Sequence, residues 1–151
     1  MSKIQINHAT LATPVAQIAA LCWRFRRGKV EVLLVTSRET RRWIVPKGWP
    51  MDGRSLSEAA EIEAWEEAGV KGTVGVEVLG IYHYDKTHPS EPAKKCRVSV
   101  FSLRTNRLEA KFPERKERRR KWFSAQKAAK SVAEPELAKL ILLAADMLKK
   151  T

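Results

Sequence analysis

Three glutamates in an Ala- and Glu-rich stretch are the residues of this sequence best suited to chemistry: Glu63, Glu66 and Glu67. At helical spacing, Glu63 and Glu67 lie one turn apart, and Glu66 lies beside both on the same arc. Like charges at this spacing destabilise a helix, and partial burial adds to the cost. A hard divalent cation would remove this conflict, because Mg²⁺ prefers oxygen ligands and often bridges carboxylates to substrate phosphates. The cluster is therefore a candidate site for Mg²⁺, with Mn²⁺ as the alternative.

Local signals indicate a helix that would carry these glutamates. Ser55 with Glu58 three residues later forms a capping-box pattern, the stretch from Leu56 to Ala68 is rich in Ala and Glu, and Gly69 is a natural terminator. Small or apolar residues form the face predicted to pack on the protein body, namely Leu56, Ala59, Ala60 and Ala64. A solvated helix whose glutamates pair with lysines and arginines is the alternative that the helix alone leaves open.

Residues 48–70 as a whole resemble a Nudix box. In that family a glycine is followed, after five intervening residues, by a glutamate, and after seven more by Arg-Glu, an aliphatic residue, any residue, Glu-Glu, any residue, Gly and an aliphatic residue. The matching positions are Gly48, Glu63, Ala64, Glu66, Glu67, Gly69 and Val70. The resemblance implies a metal site built from Glu63 and Glu67, assisted by Glu66 and the Gly48 carbonyl. Glu66 or Glu67 is then the default proton acceptor for an attacking water.

Two positions depart from the family pattern. Arg54 stands where the family has a glutamate, and Ile62 stands where it has the arginine before the first metal-binding glutamate. In the family that arginine helps to orient the helix carboxylates, and loss of such an orienting group lowers metal affinity by about ten- to a hundredfold. The sequence therefore predicts a higher metal requirement than that of its relatives.

Segments around the box resemble a subgroup, the diphosphoinositol polyphosphate and diadenosine polyphosphate phosphohydrolases. The segments are 33–38, 42–48, 80–82 and 121–123. The resemblance implies a metal-dependent hydrolase of phosphoanhydride bonds in a highly phosphorylated substrate. The formal net charge of +12 agrees with this, since it attracts anionic partners. Two alternatives stay open: hydrolysis of another nucleoside-diphosphate-linked or capped-RNA substrate, and a catalytically weak Nudix-fold module that binds phosphate.

Basic residues on both sides of the box are candidates for holding phosphate: Arg38, Arg41, Arg42, Lys47, Lys94, Lys95 and Arg97. Arginine suits bidentate phosphate contacts, and lysine acts as a point charge. The densest basic segment, 115–121, is as suited to RNA as to a small polyphosphate. RNA is the less favoured partner, because the basic residues are spread widely and no nucleic-acid motif accompanies them. Trp49 is the candidate for stacking on a base, and Trp43 is expected in the core.

The order of predicted elements favours an α+β fold in which a mixed sheet is sandwiched between helices (α/β/α), as one domain over residues 1–151. The predicted elements are a hairpin of 18–25 and 30–36, a short strand at 43–45, the helix 56–68, a strand at 74–84 irregular at Gly80, a polar loop at 85–95, a strand from Cys96, a charged loop at 108–121 with a short strand at its end, and helices 124–130 and 135–149.

The remaining features indicate a cytoplasmic protein with no membrane partner. Cys22 and Cys96 are isolated in apolar runs, which favours buried thiols over a zinc site or redox pair. Residues 1–14 lack the layout of a signal peptide, and the apolar stretch 137–148 is interrupted by charges and too short to span a membrane.

Overall fold

The computed structural model describes residues 13–149 of the chain. Residues 1–12, in which the sequence predicts no signal peptide, lie outside the described residues. In chain order the described elements are β1 (Val15–Arg26), β2 (Lys29–Thr36), β3 (Trp43–Ile44), β4 (Lys47–Gly48), α1 (Leu56–Ala68), β5 (Val70–Val74), β6 (Gly80–His88), β7 (Glu91–Leu108), β8 (Arg120–Ser124), α2 (Ala125–Ser131) and α3 (Pro135–Leu148).

One mixed sheet contains all eight described strands. Its main path is β3-β2-β1-β7-β5, while β4 adds to β1, β6 to β7 and β8 to β2. The pairing of β1 with β7 is parallel, and the other pairings are antiparallel. The long strand β7 therefore pairs with β1 along one edge and with β6 and then β5 along the other.

Helices cover both faces of this sheet. In β1, Ile18, Ala20 and Cys22 belong to the apolar cluster that contains the buried alanines of α1. The alternate residues Ala19, Leu21 and Trp23 belong to a second cluster that contains the buried residues of α2 and α3. Because successive side chains of a strand point to opposite faces, the two clusters lie on opposite sides of the sheet. This confirms the predicted α/β/α arrangement.

The region between α1 and the middle of β7 differs from the sequence-based prediction. The predicted strand at 74–84 is two strands, since β5 ends at Val74 and β6 begins at Gly80. The predicted polar loop at 85–95 is wrong, because β6 and β7 continue through it as a hairpin that pairs Asp85 with Lys95. Its polar residues are exposed, and strand pairing beyond the core needs no apolar side chains, so composition alone indicated a loop.

Two smaller corrections concern the approach to α1 and its packed face. Lys47 and Gly48, for which the sequence predicts no strand or helix, form the short strand β4 against Ala19 and Ile18 of β1. Leu56, predicted to be buried, is 43% exposed. It is the first residue of α1, two helical turns before Glu63, where few other elements are near enough to cover it.

Within residues 13–149, no helix combines the length and the apolar character needed to cross a membrane.

Candidate metal and phosphate site

The two caps of α1 set where the helix begins and ends, and so on which helical turn each of the three glutamates lies. The Ser55 hydroxyl accepts a hydrogen bond from the Glu58 N–H, and the Ser55 N–H donates to Glu58 Oε1 at 2.8 Å. Gly69 ends the helix in the left-handed conformation with φ 68°. These are the predicted start and stop, and they fix which turn carries each glutamate.

Glu63 and Gly48 meet although they belong to different elements. Strand pairing with β1 places Gly48 beside α1, and a Cβ atom at this position would overlap the Glu63 carboxylate. Only glycine lets the backbone and the carboxylate come this close. The structure therefore brings together the first glutamate and the glycine of the predicted metal site.

Glu67 is the most buried of the three glutamates, with 5% of its surface exposed. Its Oε1 accepts a hydrogen bond from the Lys47 backbone N–H at 3.3 Å, and the carboxyl of Glu63 lies near enough to interact with it. Burial raises the pKa of Glu67, the Arg118 guanidinium opposes this rise, and Glu63 adds to it. Burial likewise raises the pKa of Glu63. Two carboxyls whose pKa values are raised mainly by burial are oxygen donors that suit a hard divalent cation as their partner.

No group of three or more His, Cys, Asp or Glu side chains within residues 13–149 is already gathered into a closed metal-binding cluster. Instead Glu63 lies against Gly48, and Glu67 contacts the Lys47 backbone. Glu66 is part-buried and lines a cleft that Glu63 and Glu67 also line. The assignment of Glu63, Glu66, Glu67 and the Gly48 carbonyl as metal ligands stays a prediction that the oxygen donors and their burial fit.

A cleft of about 520 Å³ runs along this end of α1. Arg38, Arg42 and Lys47 line it together with the three glutamates, whereas Arg41, Lys94, Lys95 and Arg97 are not among its lining residues. The last three of these lie exposed on the outer part of β7. The seven predicted phosphate-binding residues thus divide into three that face the candidate metal site and four that do not.

Three cationic side chains of the cleft already have contacts within the protein. Arg38 pairs with Glu117 at 3.1 Å, and Arg42 pairs with Glu134 at 3.4 Å. The Lys47 ammonium lies 5.1 Å from the centre of the Tyr84 ring, and burial lowers the pKa of this lysine. A weakly solvated ammonium beside a carboxylate helix suits a phosphate oxygen as its counterion.

The two tryptophans considered above and two histidines of β6 also differ in whether they reach the cleft. Trp49 lines the cleft with 45% of its surface exposed, so one ring is open to a ligand. Trp43 packs edge-on against Phe123 at the margin of the core, as expected. His88 lines the cleft, whereas His83 contacts Glu136 of α3 instead.

The basic segment after β7 has a role that the sequence reasoning missed. It wraps the C-terminal end of α1, with the Glu109 N–H donating to Gly69 O at 2.8 Å and the Glu114 N–H donating to Glu66 O at 3.0 Å. The Arg120 guanidinium donates to Ala68 O at 2.7 Å. A cation at the C-terminal end of a helix is favourable. The missed residue is Arg118, whose Nε lies 2.7 Å from Glu114 Oε1.

Comparison with known sequences gives a consistent result. The sequence model of the NUDIX domain matches residues 15–143. "Nudix hydrolase 12, mitochondrial" of Arabidopsis thaliana is 36% identical over 103 residues, which is 66% of this chain and 51% of that protein. "Diphosphoinositol polyphosphate phosphohydrolase 3-alpha" of Mus musculus is 34% identical over 114 residues, 74% of this chain and 65% of that protein. The chain thus spans about half to two thirds of the length of these curated relatives.

Solved structures with a similar fold come from more distant sequences. The C. elegans Ap4A hydrolase superposes with a TM-score of 0.65 at 20% identity, covering 90% of this chain and 99% of that one. The NUDIX domain of Shewanella oneidensis NrtR complexed with ADP ribose superposes with a TM-score of 0.67 at 14% identity, covering 98% and 99%. At these identities the superpositions establish the fold and nothing finer.

Proposed function

The chain belongs to the Nudix family, and from that premise we propose that it is a metal-dependent hydrolase that cleaves a phosphoanhydride bond in a highly phosphorylated substrate. One observation carries the proposal: Glu63, Glu66 and Glu67 line the same cleft as Arg38, Arg42 and Lys47. Carboxylate side chains that suit a divalent cation and basic side chains that suit phosphate oxygens therefore line one cleft.

The residues of the cleft have distinct tasks in this reaction. When bound by the three glutamates and the Gly48 carbonyl, a divalent cation, Mg²⁺ or Mn²⁺, supplies charge neutralisation at phosphate oxygens and activation of water. Glu66 or Glu67 accepts the proton of the attacking water. Arg38 and Arg42 each bind two phosphate oxygens through the guanidinium, and Lys47 binds the substrate as a point charge near the glutamates. These contacts align the substrate and stabilise charge on the leaving phosphate.

The proposed substrate class is a diphosphoinositol polyphosphate or a diadenosine polyphosphate. The concentration of arginine and lysine in the cleft supports a ligand with several phosphates, and the mouse relative is named for the first of these substrates. The solved C. elegans neighbour is named for hydrolysis of Ap4A. The exposed ring of Trp49 favours a second candidate, a nucleoside-diphosphate-linked or capped-RNA substrate whose base stacks there.

A substrate panel tests the proposal. The protein is incubated with Mg²⁺ or Mn²⁺ and a diphosphoinositol polyphosphate, a diadenosine polyphosphate, ADP-ribose and a capped RNA, and the products are separated. Release of phosphate or nucleotide from the first two supports the proposed class, and faster release from the last two supports the second candidate. Metal-independent binding of phosphate with no product from any substrate would show a binding module instead.

We also propose the cytoplasm as the compartment, because both cysteines are buried free thiols, which a reducing environment maintains. The Arabidopsis thaliana relative carries the word mitochondrial in its name. Fractionation of cells that express the full chain distinguishes the two compartments.

A further inference from the structure

The helix α1 lacks the arginine that the Nudix box has before its first glutamate, since Ile62 stands there. A guanidinium from another part of the chain lies at the same carboxylates. Arg118 Nη2 is 3.6 Å from Glu67 Oε2, and Arg118 Nε donates to Glu114 Oε1 at 2.7 Å. Its Nη1 donates to Thr36 O at 3.0 Å. All three nitrogens of the Arg118 guanidinium are therefore engaged.

The backbone on either side holds Arg118 in this position. The Thr36 N–H donates to Arg119 O at 3.0 Å, and the Arg119 N–H donates to the Thr36 hydroxyl at 2.9 Å. Directly after this contact, β8 pairs with β2, with Arg120 opposite Val35. Because these bonds leave the backbone little freedom, the guanidinium is presented to α1 from a fixed point of the sheet.

The side chain of Arg118 is 8% exposed and that of Glu67 is 6% exposed, so each charge needs a partner inside the protein. The two oxygens of Glu67 are fixed from opposite sides, Oε1 by the Lys47 N–H and Oε2 by Arg118. At 3.6 Å the guanidinium attracts Oε2 without forming a hydrogen bond. The lone pairs of that oxygen therefore stay available to a cation.

We propose that Arg118 is a positioning residue that orients Glu67 for metal binding, in place of the arginine absent at position 62. This rests on the proposed function, in which Glu67 is a metal ligand. It also reverses the expectation from Ile62 alone, because a chain that supplies its guanidinium from the segment before β8 has no reason to require more metal than its relatives. Ile62 is then an apolar residue of α1, and Arg118 supplies the guanidinium that the family has at position 62.

The test compares Mn²⁺ binding by four forms of the full chain: wild type, Arg118→Met, Arg118→Lys and Arg115→Met. Arg115 is an exposed arginine of the same segment and serves as the matched control. We expect the Kd for Mn²⁺, measured by calorimetry without substrate, to rise about ten- to a hundredfold in Arg118→Met and to stay unchanged in the control. Lysine supplies the charge but not the planar fork, so Arg118→Lys should fall between them.

A fifth form, Ile62→Arg in the Arg118→Met background, asks whether an arginine at the family position restores the lost orientation. We expect it to recover at least part of the Mn²⁺ affinity and to lower the Mn²⁺ concentration for half-maximal turnover, with a smaller change in kcat at saturating Mn²⁺. A residue with only a structural role would not be rescued from a different element. Urea unfolding of each form without metal separates loss of affinity from loss of fold.

Specific results would overturn the inference. Wild-type Mn²⁺ affinity in a folded Arg118→Met would remove the positioning role, and tighter binding would show that Arg118 competes with the metal for Glu67. If Arg118→Met does not fold, an Arg118→Lys protein that binds Mn²⁺ as wild type does is enough to reject the inference. If the wild-type protein itself neither binds Mn²⁺ nor hydrolyses any phosphoanhydride, the failure belongs to the proposed function.

Discussion

Two basic regions of the chain differ in burial and contacts: the segment 109–120 and the outer part of β7 at 94–97. In the first, Arg118 is almost fully buried between Glu67 and Glu114, and Arg120 donates to a carbonyl at the end of α1. In the second, Lys94, Lys95 and Arg97 are exposed, and the ion pair of Lys95 with Asp85 is long at 3.9 Å. Similar composition therefore leads to different roles.

The difference follows from what each region can contact. The end of α1 offers free carbonyls and buried carboxylates, both of which need positive partners. The β6–β7 hairpin satisfies its own backbone and extends into water, where charges are already solvated. Removing one partner of a buried pair costs about 3–5 kcal/mol, whereas an exposed pair contributes about 0–1 kcal/mol. Net charge attracts an anion to the molecule, but position relative to the cleft decides which charges form the site.

The largest expected effect is loss of catalysis in Glu67→Gln. Glutamine keeps the shape of the side chain but removes the charge that the metal requires, so turnover should fall by about a hundredfold or more while the fold is retained. Steady-state rates at saturating Mg²⁺ measure this. Glu61→Gln, an exposed position on the same helix, is the control. Undiminished turnover in a folded Glu67→Gln protein would reject the metal-site assignment.

The second prediction tests the division of basic residues directly. Replacing both Arg42 and Lys47 by Ala should raise KM about tenfold or more, because hydrogen bonds to charged groups contribute about 1.5–3 kcal/mol each. Replacing the exposed set Lys94, Lys95 and Arg97 by Ala should change KM by less than about threefold, since exposed charges act weakly. KM values measured at one ionic strength give the comparison. Equal losses in both variants would place the hairpin in the substrate site.

The contrast between the regions also shows what the sequence could predict. The bounds and caps of α1 were predicted because their signals are local, Ser55 with Glu58 at one end and Gly69 at the other. The contact of Gly48 with Glu63 followed from the family pattern. The contact of Arg118 with Glu67 did not, because it depends on where β8 joins the sheet, which no local pattern encodes. Residues 85–95 were misread as a loop because exposed paired strands carry the composition of a loop.

A third prediction concerns salt. If phosphate charge dominates recognition, substrate binding should weaken steeply as salt rises, because exposed charges are screened over about 8 Å at physiological ionic strength. Titrating substrate onto Glu67→Gln at several KCl concentrations separates binding from turnover. Replacing Lys94, Lys95 and Arg97 by Ala in Glu67→Gln should leave the dependence of substrate affinity on salt concentration unchanged. A flat affinity would move recognition to the base or sugar, with Trp49 as the contact to examine.

The smallest expected effect lies at an exposed pair, which sharpens the contrast with the buried one at Arg118. Glu136 Oε1 accepts a hydrogen bond from the His83 backbone N–H at 2.7 Å and lies 3.0 Å from His83 Nδ1. The side-chain contact with His83, followed by this backbone hydrogen bond, holds the pKa of Glu136 below its usual value. A carboxyl whose pKa is lowered by folding stabilises the native state above its unfolded pKa, and that stabilisation is lost as pH falls through the folded pKa.

We therefore expect Glu136→Gln to unfold at slightly lower urea than wild type near neutral pH, and the two to converge in acid, below the ordinary pKa of glutamate. The effect should be small because both side chains are exposed to water. Glu77→Gln, at an exposed position before β6, should track wild type at every pH. A gap between Glu136→Gln and wild type that widens as pH falls would contradict the sign of the shift, since protonation of Glu136 removes the difference between the two side chains.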